Sequence, residues 1–222
     1  SNAFNPNWLL VRNFFNLIGV SAHNNSKLLS EIVNEFDVPN VVLSNSKNIK
    51  EYFGKFKLNT GQSALIDLAK IQCDVVITGI IGLTGLPSAF AAISYGNNLA
   101  IANKETLVAA GKIFMDKAVE KKVTILPVDS EHSAIFQCLS KENIINLNHI
   151  TLTASGGPFL NTSIKDMENI KPKDAIKHPI WSMGKKISVD SATMINKALE
   201  IIEASVLFNL KSKQIDVVIH PQ

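Results

Sequence analysis

The densest run of chemically able side chains is Asp129-Ser130-Glu131-His132, directly behind the apolar stretch 123–128. Two carboxylates two residues apart on a loop can converge on one cation, and their hard oxygens suit Mg²⁺ or Mn²⁺. The same residues equally suit a helix N-terminus, with Asp129 or Ser130 as cap and Glu131 favoured by the helix dipole. A second group lies on 191–200, Ser-Ala-Thr-Met-Ile-Asn-Lys-Ala-Leu-Glu. In a helix Asn196 and Glu200 stand four apart and Lys197 and Glu200 three apart, so the three share a face. Ser191 is placed at the mouth of that helix, where free N–H groups favour an anion. A hydroxyl, an amide and an ammonium together suit a phosphate, and Glu200 becomes a third oxygen ligand. An exposed amphipathic face with a surface Lys–Glu pair has the same spacing.

Three further features carry weaker signals. Ser155-Gly156-Gly157 follows a strand, and glycines there let the backbone approach a ligand closely, or simply turn into Pro158. His178-Pro-Ile-Trp181-Ser-Met183-Gly184 lies in a polar stretch, where a Trp packs the loop on its own domain or covers a ligand. His132 and His178 each suit a structural role. Gly79-Ile-Ile-Gly82-Leu-Thr-Gly85 resembles a phosphate loop, but its spacing is not that of the dinucleotide fingerprint and no Walker lysine follows.

The elements that must position these residues alternate through the first half. Strands are predicted over 15–22, 40–44, 74–79, 99–102 and 123–128. Helices are predicted over 26–36, 46–53, 62–70, 87–95 and 104–121. Repeated βα units imply a doubly wound parallel sheet, since parallel strands need crossover helices. Ligands in such sheets sit beyond the carboxyl ends of the strands, where Thr78, Asn103 and Asp129 fall. The second half changes character. A strand over 150–154 is followed by a polar stretch over 161–186 without a clear period, which reads as a lid. A helix over 192–208, capped by Ser191 or Asp190, and a strand over 215–220 complete the chain.

Composition bounds the classes available. The chain has 222 residues, 46% hydrophobic and 18% charged, with a formal net charge of +3. That is enough to bury a core and too little charge to argue for nucleic acid. No apolar run reaches the roughly 18 residues needed to span a bilayer; the longest, over 75–86, is broken by three glycines. Cys73 and Cys138 sit in apolar or helical patterns and read as reduced core residues. Ser1-Asn2-Ala3 reads as a tag-cleavage scar.

In order and wording, Asn103-Lys-Glu105, Pro127-Val-Asp-Ser-Glu-His132, Ala154-Ser-Gly-Gly-Pro-Phe159 and the long run from His178 to Glu200 resemble the motifs of the deoxyxylulose-phosphate reductoisomerase family. The resemblance runs from about Gly19 to the last residue. It implies an α/β fold: a doubly wound, Rossmann-like NADPH-binding domain over 4–126, then an α+β catalytic domain over 127–222. It implies that Asp129, Glu131 and Glu200 bind Mg²⁺ or Mn²⁺, with Co²⁺ as a further option. Ser155, Ser191, Asn196 and Lys197 are implied to hold a substrate phosphate. Lys104, Ser130, Glu131 and His178 are implied to contact the sugar, with Lys104, Glu131 and His178 catalytic and Trp181 and Met183 on the lid above. Asn103, Glu105 and Gly184 are implied to line the NADPH site, and Ala22-His23-Asn24-Asn25 to meet the adenosine ribose phosphate. That last match is looser, because the family usually has Gly and a basic residue where His23 and Asn24 stand.

The implied reaction converts 1-deoxy-D-xylulose 5-phosphate into 2-C-methyl-D-erythritol 4-phosphate, with a homodimer as the implied assembly. A bacterial cytoplasm or a plastid-type organelle is the implied compartment, with no nucleic-acid or membrane partner. Another NAD(P)-dependent dehydrogenase, or a non-catalytic phosphate- or nucleotide-binding fragment, are the competing readings. The family's Gly-rich first βα unit and its helical C-terminal domain have no counterpart here. The expectation is therefore a chain that binds the divalent cation, binds NADPH weakly and turns over little substrate.

Overall fold

The computed structural model describes residues 14–139, 146–176 and 184–220. Its strands pair in parallel. One sheet joins β1 (Gly19–Ala22), β2 (Asn40–Leu43) and β3 (Leu58–Thr60) in that order; a second joins β4 (Val75–Thr78), β5 (Asn98–Ile101) and β6 (Ile125–Pro127). Helices α1 (Ser26–Phe36), α3 (Leu86–Ser94) and α4 (Lys104–Lys121) make crossovers between parallel neighbours, and α2 (Gly61–Ala69) carries the chain from the first sheet to the second. Strands β2 and β5 each bury their last three residues, as apolar segments covered on both faces do.

The parallel α/β class is as expected, but the ladders are two three-stranded ones rather than one continuous run. Strand β3 was not expected: Leu58-Asn59-Thr60 is short and mostly polar, and it is placed by pairing Val41↔Leu58 to Leu43↔Thr60. The first strand starts only at Gly19, and the stretch 46–53 forms a 3₁₀ turn over Ser46–Glu51 in place of an α-helix.

The second half holds α5 (Ser130–Cys138), β7 (Ile150–Ala154), α6 (Ile164–Met167), α7 (Pro172–Ala175), α8 (Lys185–Ala192), α9 (Ile195–Phe208) and β8 (Ile215–Ile219). Strands β7 and β8 pair in parallel from Ile150↔Ile215 to Ala154↔Ile219. Short helices α6, α7 and the start of α8 thus occupy the stretch read as an aperiodic lid. The expected single helix over 192–208 is divided. Met194 adopts φ 59°, ending the path of α8 and opening α9. Among the described residues no helix is long and apolar enough to cross a membrane. Cys73 and Cys138 are free thiols but not the core residues expected, since Cys73 is half-buried and Cys138 is exposed.

Helix α4 links the two halves. Leu107, Gly111, Phe114 and Ala118 repeat at helical spacing and are buried. A Cβ on Gly111 would lie 2.6 Å from Val206, so glycine lets α4 and α9 approach closely there. Two turns earlier Lys104 meets Glu200. The two contacts advance in the same sense, so the helices run the same way and bring their N-terminal ends together.

Candidate active site

Three N-terminal ends converge. Strand β5 ends into Asn103 and α4, its neighbour β6 ends into Asp129 and α5, and α9 presents its first two turns to both. Asp129 holds the N-cap position of α5 yet makes no side-chain capping bond. Its carboxylate turns instead into the space between the elements. One oxygen each from Asp129, Glu131 and Glu200 lie within 4.8 Å of one another. Both readings of Asp129-Ser130-Glu131 leave a trace: Asp129 and Glu131 stand at the N-cap and in the first turn of α5, while Asp129 directs its carboxylate toward Lys104 rather than to the helix end.

Two ammonium groups sit among these oxygens. Lys104 Nζ is 2.7 Å from Asp129 Oδ2, 3.2 Å from Glu200 Oε1 and 2.9 Å from Asn196 Oδ1. Lys197 Nζ donates to Glu200 Oε2 and lies 3.4 Å from Glu131 Oε1. The Asn196 amide also donates to Glu200, and the Ser130 hydroxyl donates to Glu131 at 2.6 Å. Lys104, Lys197 and Glu200 are all buried. The Lys–Glu pair of α9 is therefore no solvated surface pair but a desolvated one, whose charges need each other.

The field follows from those contacts. Burial opposes ionisation of Asp129, but the adjacent His132 and Lys104 override it and hold the carboxyl well below the usual carboxylate range. Burial likewise opposes the charge on Lys104, and Asp129 and Glu200 more than restore it. Behind Asp129 lie His132 and Glu203, both fully buried. Burial pushes the Glu203 carboxyl up to about 7.

The residues expected to hold phosphate are less uniformly placed. Asn196 and Lys197 stand in the first turn of α9, as anticipated. Ser191 does not stand at that helix mouth: it lies in the last turn of α8, because the left-handed Met194 separates the two helices. Asp190 pairs with Lys186 instead of capping. The loop that follows Ser155 reaches Ser191. Gly156 and Gly157 both take positive φ and fold the Ser155 loop onto α8, so closely that a Gly157 Cβ would lie 2.6 Å from the Ser191 carbonyl oxygen.

The expected cofactor residues fall into two places. His23, Asn24 and Asn25 lie beyond the carboxyl end of β1, beside the end of β2. His23 Nδ1 is 2.8 Å from Ser44 Oγ, Asn45 donates to Asn24 Oδ1 at 2.6 Å, and Asn25 caps α1. Asn103 is buried; it caps α4 and donates to the carbonyls of Ile80 and Gly82, clamping the glycine loop against the sheet end. Glu105 pairs with Lys186 at 2.6 Å, and Gly184 holds the N-cap position of α8. His178, Trp181 and Met183 lie outside the described residues.

Glu203 was not singled out from the sequence. Its signal was an acidic residue within the otherwise apolar run Ile201-Ile202-Glu203-Ala204, three positions from Glu200.

Two family models match. Residues 10–111 fit the 1-deoxy-D-xylulose 5-phosphate reductoisomerase model, and residues 125–208 fit the model of that enzyme's C-terminal domain. The reductoisomerase of Thermoanaerobacter pseudethanolicus is 41% identical over 96% of this chain and 58% of its own length. That of Clostridium beijerinckii is 47% identical over 93% and 55%. A crystal structure of DOX-P reductoisomerase in complex with NADPH, fosmidomycin and magnesium superposes with a TM-score of 0.87 at 39% identity, covering 96% of this chain and 57% of that one. The Zymomonas mobilis enzyme in complex with NADPH gives a TM-score of 0.86 at 36% identity. The chain spans a little over half the length of the curated relatives it matches. With both family models and the relatives agreeing along nearly its whole length, the chain belongs to the 1-deoxy-D-xylulose 5-phosphate reductoisomerase family.

Proposed function

We propose that the chain carries the cation and substrate centre of an NADPH-dependent reductoisomerase that converts 1-deoxy-D-xylulose 5-phosphate into 2-C-methyl-D-erythritol 4-phosphate. The observation that carries this reading is the convergence of Asp129, Glu131 and Glu200 around two buried ammonium groups. Three carboxylates in one place suit a hard divalent cation, and the lysines stand where positive charge is needed. Asp129, Glu131 and Glu200 would hold Mg²⁺ or Mn²⁺, which supplies Lewis acidity toward the ketone and adjacent hydroxyl oxygens. Similar crystal structures, one in complex with NADPH, fosmidomycin and magnesium and one in complex with magnesium, support the same choice.

The residues then divide the work by charge. Lys104 and Lys197 would share these oxygens with a bound cation and would then be free to meet the substrate. Lys197 and Asn196 with Ser155 and Ser191 orient the phosphate, and Lys104, Ser130 and Glu131 face the reacting carbons. His178 and Trp181 complete the proposed substrate set. Proximity of this kind fixes the carbon skeleton before a carbon–carbon bond breaks and re-forms. NADPH, placed along Asn103, Glu105 and Gly184 with its ribose phosphate toward His23, Asn24 and Asn25, supplies the hydride for the reduction. A homodimer in a bacterial cytoplasm is part of this reading, as all the relatives named are bacterial.

The test is NADPH consumption by the protein with the sugar phosphate, with and without Mn²⁺. Cation-dependent oxidation supports the reading. Oxidation that ignores Mn²⁺ points to a plain dehydrogenase and overturns it, as does the absence of any Mn²⁺ binding.

A further inference from the structure

Beneath the three carboxylates the chain buries two titratable groups that the proposed reaction does not use. His132 follows Glu131 on α5, and Glu203 lies one turn beyond Glu200 on α9. Both are 0% exposed. His132 Nε2 is 2.9 Å from the backbone oxygen of Glu200, so that nitrogen carries a hydrogen and donates it. Nδ1 on the other side of the ring faces Glu203 Oε2 at 3.5 Å and Asp129 Oδ1 at 3.8 Å. Neither Nδ1 nor either Glu203 oxygen finds a hydrogen-bond partner among the described residues. Polar groups in that state are costly, and the surroundings would accept apolar side chains: Ile135, Ala204 and Phe208 pack in one cluster nearby.

We infer that Glu203 is a positioning residue which acts through His132 to set the spacing of the cation ligands. The ring is bonded to the backbone of Glu200 while belonging to the same helical turn as Asp129 and Glu131. It therefore ties the two elements whose separation fixes the distances among the three carboxylates. Glu203 lies against the free nitrogen and settles how the ring is turned. An apolar pair of equal volume would fill the space but would not fix that orientation. Groups behind a metal's ligands orient them in this way, and their loss weakens cation binding about 10–100-fold. The inference rests on the reading of Asp129, Glu131 and Glu200 as cation ligands. Asp129, His132 and Glu203 also present atoms within 4.8 Å of one another, so a cation held by that second trio is the rival explanation of its buried polarity.

Mn²⁺ binding measured by electron paramagnetic resonance on the parent, Glu203→Met and Glu203→Gln separates these possibilities. Met matches the volume and removes the polar contact; Gln keeps a donor for Nδ1. The expected result is one Mn²⁺ per parent chain, at least about tenfold weaker binding in Glu203→Met, and near-parent affinity with a near-parent spectrum in Glu203→Gln. Should Glu203→Met fail to fold by circular dichroism, His132→Gln carries the same expectation. It keeps a donor for the Glu200 carbonyl and loses the arm to Glu203. Parent-like affinity in Glu203→Met overturns the inference, and so does a loss in Glu203→Gln as large as in Glu203→Met. Two Mn²⁺ per parent chain falling to one in Glu203→Met assigns the second trio to a cation and overturns it too. No Mn²⁺ on the parent removes the ligand reading itself, a failure distinct from the others.

Discussion

The Lys104 ammonium lies 2.7 Å from Asp129 Oδ2, with the two side chains only 10% and 12% exposed. The same ammonium reaches Glu200, so it neutralises carboxylates that would otherwise repel one another. Cation and lysine therefore compete for one set of oxygens. In Lys104→Met the competitor is gone and the carboxylates are left short of positive charge. The metal-free variant is expected to lose roughly 3 kcal/mol of stability, as when one partner of a buried pair is removed. It should bind Mn²⁺ more tightly than the parent while turnover falls. Thermal unfolding with and without Mn²⁺ reads both effects, and a variant that binds Mn²⁺ more weakly contradicts the competition.

Removing a ligand should act the other way. Asp129→Asn takes a charge from the cation but leaves Lys104 bonded to Glu200 and Asn196. The expected outcome is a folded protein with weak or no Mn²⁺ binding. The rise in melting temperature that Mn²⁺ gives the parent, by binding the folded state alone, should be absent. A variant that melts like the parent and is still raised by Mn²⁺ would show that Asp129 is not a ligand.

How far the sequence reached is clearest at these same residues. Spacing marked Asp129 and Glu131, two residues apart, and Glu200 on a helix face as candidates, and the family resemblance joined the three into one set. The division between α8 and α9 was not legible. Thr193 and Met194 contain neither Gly nor Pro, and the left-handed Met194 is imposed by packing rather than by local preference. Ser191 was misplaced for that reason. Strand β3 escaped because three residues with one apolar side chain have no periodicity to read. The meeting of His132 with Glu203 is a tertiary event between α5 and α9, and neither residue's neighbours in the chain announce it.

Stability of the metal-free protein should fall as pH rises. Burial raises the Glu203 carboxyl from 4.5 to about 7, so the folded state holds that proton more tightly than the unfolded chain. Stability from this group is lost between those two values. Burial lowers the tendency of His132 to be charged, but Asp129 and Glu203 outweigh it and raise its pKa above 6.5. Its contribution is full below 6.5 and lost as pH passes the folded value. The two act in the same direction, and the carboxyl's share is at most roughly 3 kcal/mol. Asp129 acts oppositely, but its window lies below 3.8. Denaturant unfolding between about pH 5 and pH 8 should show this decline, and Glu203→Gln should flatten it. Identical slopes in parent and variant would count against the assignment.

The Ser155 loop offers a last test, because its Gly157 is crowded where another left-handed glycine, Gly61 at the start of α2, is not. Gly61 has φ +91° and open space, so Gly61→Ala measures the cost of left-handed backbone alone, about 1–2 kcal/mol. Gly157 has φ +70° and also faces the Ser191 oxygen at 2.6 Å and the Ala192 Cα at 3.2 Å. Those are backbone atoms and cannot swing aside as a side-chain tip can. Gly157→Ala must therefore push the loop off the end of α8, which adds roughly 1–3 kcal/mol of strain. In the proposed function that displacement separates Ser155 from Ser191, two of the groups assigned to the phosphate. The expected signature is weaker binding of the sugar phosphate, read by calorimetry, with NADPH binding unchanged, alongside a larger loss of denaturant stability than in Gly61→Ala. Equal stability losses in the two variants would show that the loop has room to yield. NADPH binding that weakens in parallel would place the loop at the cofactor rather than at the phosphate.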